Sequence, residues 1–265
     1  MSAASKRLLI IAGSDSGGGA GIQADIKTAS VFGVYAMTAI TAVTVQDTQR
    51  VHSVELLPPT TVRDQIRVCL ADIDADAVKV GMLGSAEIVN AVAAALKQYA
   101  RAIPIVIDPV MISTGGKRLL SPGAVDAFKS KLLPLAALVT PNLPEARVLT
   151  GMRGADRRAA ETAGRKLITM GAGSALIKGG HATKETVDDV LVWDGGVEIY
   201  AFPRIRTRHT HGTGCVLSTA IACGLAQQLS LPLAVGRARE FVQAAIETAP
   251  GLGRGHGPLN LLGKR

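Results

Sequence analysis

Apolar and amphipathic runs alternate along most of this 265-residue chain. Six stretches are almost continuously apolar: "RLLIIAG" (7–13), "AMTAITAVTV" (36–45), "AVKVGML" (77–83), "IPIVIDPVM" (103–111), "AALVTPN" (136–142) and "SALIKGG" (174–180). Runs of that kind read as strands buried on both faces. Between several of them, as at 86–100 and 156–171, apolar positions recur every three or four residues, the spacing of a helix with one buried face. Strands alternating with such helices predict a mainly parallel central sheet covered on both sides, an α/β fold of three α/β/α layers. "DDVLVWD" and "VEIYAFP", joined through "GG" at 195–196, predict a β-hairpin on one edge. Two long helical patterns, 212–229 and 232–249, follow. No linker, internal repeat or shift in composition divides 1–265, which reads as a single domain.

In sheets of this type ligands bind beyond the carboxyl ends of the strands. Polar or glycine-rich groups stand there repeatedly: "GSDSGGGAG", "QDT", "GML", "DPVM", "TPNLPEA" and "KGGH". Their convergence on one crevice is the expectation.

Composition narrows what that crevice takes. Hydrophobic residues at 48% with 29 glycines describe a compact globular chain. The formal charge is +8, but the basic residues are scattered and aromatic residues make up only 3%, which argues against a nucleic-acid partner and for phosphate-bearing small molecules. The amino-terminal apolar run ends at Gly13, too early for a signal peptide, and no stretch has the length of a membrane span, so the expected location is the cytoplasm, with no membrane partner. Cys69, Cys215 and Cys223 form neither a C-x-x-C pair nor a zinc pattern. Cys69 and Cys223 read as small core residues.

The segment "THGTGC" (210–215) immediately precedes the helical pattern. Backbone amides at a helix amino terminus lack helical partners and favour anions, and small residues let a phosphoryl group approach them. The same field lowers the pKa of a thiol placed there, which makes Cys215 a candidate base or nucleophile. "GSDSGGGAGIQAD" (13–25) has neither the P-loop nor the dinucleotide spacing and reads as a loop that lets a ligand approach the backbone. Asn142 and Glu145 suit Mg2+ with waters, although Glu145 equally complements a helix dipole. Lys178 suits a phosphate contact. Arg204, Arg206 and Arg208 place three guanidinium groups on one side of an extended segment. His181, His209 and His211 read as hydrated loop residues without a catalytic part.

Taken together, "GSDSGGGAGIQAD", "KVGML", "DPVM", "TPNLPEA", "KGGH", "THGTGC" and "GHGP", from Ile11 to Pro258, resemble the hydroxymethylpyrimidine and phosphomethylpyrimidine kinases of thiamin biosynthesis, in the ribokinase-like superfamily. The resemblance implies a kinase that moves the γ-phosphoryl of ATP to the hydroxymethyl group of a 4-amino-2-methylpyrimidine and then phosphorylates that monophosphate. It implies Cys215 as base, with the amides of Gly212, Gly214 and their neighbours and Lys178 serving the migrating phosphoryl. Gln46 is implied as the pyrimidine reader, with Gly13, Asp25, Met82 and Val110 in the same pocket. Thr210, Thr213, Asn142 and Lys178 are implied at the nucleotide, and Glu145, Asn142 and Asp108 at Mg2+. A homodimer is implied, and a monovalent cation is left open. Ser16, Gly17 and Asp47 depart from the family's usual residues, which puts loop stiffness in question. The alternatives are a pyridoxal kinase of the same superfamily and, in a different class, a cysteine-dependent transferase or hydrolase with His211 as base.

Overall fold

The computed structural model describes residues 5–113, 116–180 and 185–262; His181 lies outside them. Nine strands form one sheet in the order β3-β2-β1-β4-β5-β6-β7-β8-β9. The strands are β1 Arg7–Asp15, β2 Tyr35–Gln46, β3 Val51–Leu56, β4 Ala77–Val80, β5 Ile105–Ile107, β6 Leu138–Val139, β7 Ala175–Ile177, β8 Thr186–Trp193 and β9 Gly196–Pro203. The six from β2 to β7 in sheet order run parallel, and β3, β8 and β9 join antiparallel at the two edges. The expected three-layer architecture and edge hairpin are therefore present. The strand β3 is an addition: "VHSVEL" is polar at every second or third position and only Val51 is buried, as suits an edge.

Strand alternation divides the interior into two cores. Leu9 and Ile11 face one side with α2 (Pro59–Asp72), α3 (Ala86–Tyr99), α4 (Pro122–Ala127), α5 (Leu143–Thr150) and α6 (Arg157–Thr169). Leu8, Ile10 and Ala12 face the other, against α1 (Gly21–Val31), α7 (Thr213–Ala226) and α8 (Leu231–Glu247). Among the described residues no helix is long and apolar enough to cross a membrane.

Helix α7 is apolar nearly all round, and ten of its residues are buried, because it lies between the sheet and its neighbours α1 and α8. The chain reverses direction of growth at β1, which has β2 on one side and β4 on the other. At that switch point the strand ends part and leave a crevice.

Candidate active site

The loops after the parallel strands do converge. They enclose one cavity of about 560 Å³, within the usual range for small-ligand sites. Gly13, Gln46, Met82, Val110, Asp108, Asn142, Glu145, Lys178 and the whole of 210–215 line it. Gly212 begins α7 with φ 83°, and a side chain there would strike the Gly19 carbonyl, so glycine lets the first loop and the helix mouth meet backbone to backbone. The Val216 N–H closes the first helical bond on the Gly212 carbonyl at 2.9 Å, which leaves the Gly214 and Cys215 amides ahead of the ladder.

A charged cluster adjoins that mouth. Lys178 Nζ donates to Asp108 Oδ1 at 2.6 Å, and a Cβ at Gly214 would come within 3.1 Å of Asp108 Oδ2 and 3.2 Å of Lys178 Nζ. Burial works against the Lys178 charge, but Asp108 and Glu145 outweigh it and hold the ammonium above its usual range. Asn142 and Glu145 form a reciprocal cap on α5: Asn142 Oδ1 accepts from the Glu145 N–H at 2.9 Å, and Glu145 Oε2 accepts from the Asn142 N–H at 2.8 Å. The helix cap and the cavity wall are thus the same two residues. Burial pushes the Glu145 carboxyl up to about 7; Lys178 opposes this and Asp108 adds to it.

No group of three or more His, Cys, Asp or Glu side chains gathers as a metal cage among the described residues. An ion here would take most of its ligands from water and phosphate, which is how Mg2+ is commonly held. Two neighbouring carboxylates, one with raised proton affinity, fit that demand.

Cys215 is half-buried and lines the cavity, and its sulfur faces the Gly21 N–H at the start of α1. The expected lowering of its pKa is overturned: burial pushes the thiol up to about 11, and although Lys79 and the Gly21 amide pull it down, Asp25 and Asp108 push the same way as burial. Helix-terminal amides do not compensate for desolvation beside two carboxylates. Cys223 is buried, as expected, and Cys69 is half-buried against a core.

Asp25 does not line the cavity. It is fully buried, accepts from Lys79 Nζ at 2.6 Å and from Thr219 Oγ1 at 2.7 Å, and so sits beneath the site. Thr219 lies one helical turn after Cys215, and Asp25 one turn after Gly21, so the pairs face each other across α1 and α7. The hydrated reading of His211 is also overturned: it is buried, with Nε2 2.8 Å from Asp15 Oδ2. His209 is half-buried. Of the three arginines only Arg204 reaches the cavity wall, where Nη1 donates to the Gly180 carbonyl at 3.0 Å; Arg206 pairs with Glu185 in solvent and Arg208 is exposed.

The departures in the first loops carry their own bracing. Ser16 Oγ donates to the Gln46 carbonyl at 2.8 Å and accepts from the Gln46 N–H at 2.9 Å. Asp47 accepts from the Gln49 and Arg50 amides and from His52, and its carboxyl is held low, at about 2, chiefly by His52.

A family model described as phosphomethylpyrimidine kinase matches residues 15–260. A thiamine biosynthesis bifunctional protein of Geobacter sulfurreducens is 47% identical over 96% of this chain, which spans 51% of that longer protein. Hydroxymethylpyrimidine/phosphomethylpyrimidine kinase of Streptomyces coelicolor is 46% identical, covering 96% of this chain and 93% of its own. Among solved structures, the ADP complex of Bacillus subtilis pyridoxal kinase superposes with a TM-score of 0.89 at 36% identity, over 97% of both chains. Nearly end-to-end identity at this level leaves no ambiguity of lineage: the chain belongs to the phosphomethylpyrimidine kinase family.

Proposed function

We propose that this chain, acting as one catalytic unit over 1–265, is the kinase that moves the γ-phosphoryl of ATP to 4-amino-5-hydroxymethyl-2-methylpyrimidine and then to its monophosphate, in the synthesis of thiamine diphosphate. The observation that carries this reading is that the α7 mouth with Cys215, the Lys178–Asp108 pair and the Gln46 carboxamide open onto a single cavity. A carboxamide matches an aminopyrimidine edge, and the amides and ammonium match a phosphoryl group in flight.

Phosphoryl transfer proceeds through a loose transition state in which positioning and charge stabilisation do most of the catalysis. The Gly214 and Cys215 amides and Lys178 take up charge on the transferring group. Thr210 and Thr213 border the same mouth. Asp108 and Glu145 would hold Mg2+, directly or through water, with Asn142 fixing Glu145; the ion supplies charge neutralisation to the phosphates. Cys215 accepts the substrate hydroxyl's proton as the thiolate, so its own proton, held by burial up to about 11, leaves first; Lys79 and the Gly21 amide favour that ionised form. A covalent cysteine mechanism is disfavoured because the resting group is the thiol, the weaker nucleophile.

The exposed Val43 and Val45, on one face of the β2–β3 ribbon, support a homodimer, with a second copy of the chain covering them. A cytoplasmic location accords with three free cysteines and no disulfide.

The test is ATP consumption with the aminopyrimidine alcohol, its monophosphate and pyridoxal, with product masses recorded. Mono- and diphosphate products from the pyrimidine are expected. Turnover of pyridoxal alone would move the assignment to the second reading, which the Bacillus subtilis superposition favours.

A further inference from the structure

Gln46 as placed has Nε2 3.2 Å from His211 Nε2 and Oε1 3.3 Å from Thr44 Oγ1. Donor and acceptor counting reverses that amide. Asp15 accepts from the Gly17, Gly19 and Ala20 amides; burial alone would raise its pKa, but the His211 hydrogen bond and these amides outweigh it and hold Asp15 below the usual carboxylate range. It is therefore an acceptor only, and the 2.8 Å contact to His211 Nε2 requires a hydrogen on that nitrogen. No lone pair remains there for a Gln46 N–H. Thr44 has one hydroxyl hydrogen and gives it to the Ser14 carbonyl at 2.9 Å, so towards Gln46 it can only accept. Thr44 demands Nε2 towards itself, which turns Oε1 towards His211, where at 3.2 Å it shares, as a second acceptor, the hydrogen that the ring Nε2 gives mainly to Asp15.

The ring that imposes this is itself clamped. A Cβ at Gly19 would come within 2.6 Å of His211 Cδ2 and 3.1 Å of Pro258 Cβ, and the His211 N–H donates to the Gly257 carbonyl at 3.1 Å.

We propose that the Asp15–His211 pair, with Thr44, is a polarity lock that fixes the direction of the Gln46 carboxamide and thereby selects a 4-amino over a 4-oxo pyrimidine. After the lock is satisfied, Gln46 retains one oxygen lone pair and one N–H for the cavity. A 4-aminopyrimidine offers a donor beside an acceptor nitrogen and meets both. The 4-oxo analogue offers a carbonyl beside a ring N–H and meets the locked amide with like against like, which leaves buried groups unpaired. His211 and Thr44 are positioning residues in this scheme. The inference rests on Gln46 reading the pyrimidine, as in the function proposed above.

The experiment compares kcat and KM for the 4-amino alcohol and its 4-oxo analogue. In His211→Phe, which fills the ring's space without the N–H, the amino KM is expected to rise about tenfold, the worth of one hydrogen bond in a buried site, and the amino-over-oxo preference to collapse. His211→Gln, whose amide nitrogen reaches the same place, is expected to restore the preference, which a merely structural role would not do. Thr44→Val is the independent arm should His211→Phe not fold, and a reduced preference with His211 intact is expected. Unchanged preference in Thr44→Val together with unchanged preference in a folded His211→Phe, or in His211→Phe's absence unchanged preference in Thr44→Val alone, overturns the lock. A wild-type protein inert towards the aminopyrimidine would instead overturn the proposed function.

Discussion

Lys79 Nζ lies 2.6 Å from Asp25 Oδ2, and neither side chain is exposed at all. Burial works against the Lys79 charge, but Asp25, the Cys215 sulfur and Asp108 together outweigh it and hold the ammonium above its usual range. The pair forms a charged floor beneath the α1 and α7 mouths. Lys79→Met strands the Asp25 carboxylate and is expected to cost about 3–5 kcal/mol in urea unfolding. Adding Asp25→Leu should return most of that stability, because well-packed apolar residues replace buried pairs at little cost. Activity should stay low in the double variant, since the cation facing the sulfur is gone. Recovery of kcat alongside stability would reduce the pair to a packing element.

The Cys215 thiol, pushed up to about 11, gives a pH prediction. The folded protein keeps this proton where an ordinary thiol, near 9.0, has released it. Stability is therefore undiminished below pH 9 and falls as pH rises through 11. Alkylation at Cys215, followed by peptide mass, is expected to accelerate with pH without levelling below pH 10. A plateau near pH 8 would show a thiolate already formed and would restore the lowered-pKa reading. Cys215→Ala should lower kcat by about 10²–10⁴, the usual worth of a proton acceptor, with nucleotide binding retained in a calorimetric titration.

How much of this was legible in the sequence depends on whether a signal was local. The strands and their loops follow from apolar runs such as "RLLIIAG", and the start of α7 at the cavity follows from small residues ahead of a helical pattern. Lys79 escapes because one charge inside "AVKVGML" has no partner in sequence; Asp25 lies 54 positions away and meets it only through tertiary packing. His211 escapes for the same reason, its carboxylate being 196 positions distant. The direction of the Cys215 shift depends on burial and on Asp108 and Asp25, none of which a motif carries. The lone lysine in an otherwise apolar strand was the one available clue.

Gly214 separates folding from catalysis. It lies in the first turn of α7 without a positive φ, so alanine is compatible with the backbone and is expected to stabilise the helix by up to about 1 kcal/mol. The added methyl, however, meets Asp108 Oδ2 at 3.1 Å and Lys178 Nζ at 3.2 Å, where the phosphoryl must also approach. Gly214→Ala should unfold close to the wild-type midpoint, the helix gain offsetting these tight contacts, while losing at least tenfold in kcat, about 1.4 kcal/mol of barrier. Full activity in this variant would place the phosphoryl path away from the helix mouth.

Gln46, as the proposed reader of the pyrimidine, is expected to discriminate between the pyrimidine and pyridoxal kinase activities. It lies at the carboxyl end of β2, borders the cavity, and has its backbone pinned at both ends by Ser16. Replacing it by methionine keeps the side-chain length and removes both the donor and the acceptor. An aminopyrimidine then loses two hydrogen bonds in a largely desolvated site, an expected fall of about 10–100-fold in kcat/KM. Pyridoxal presents no matching amino edge there, so its turnover should change by far less. Parallel measurement of both substrates with wild type and Gln46→Met decides it: equal losses would mean that Gln46 shapes the loop rather than reads the ring, because a displaced loop penalises every substrate alike.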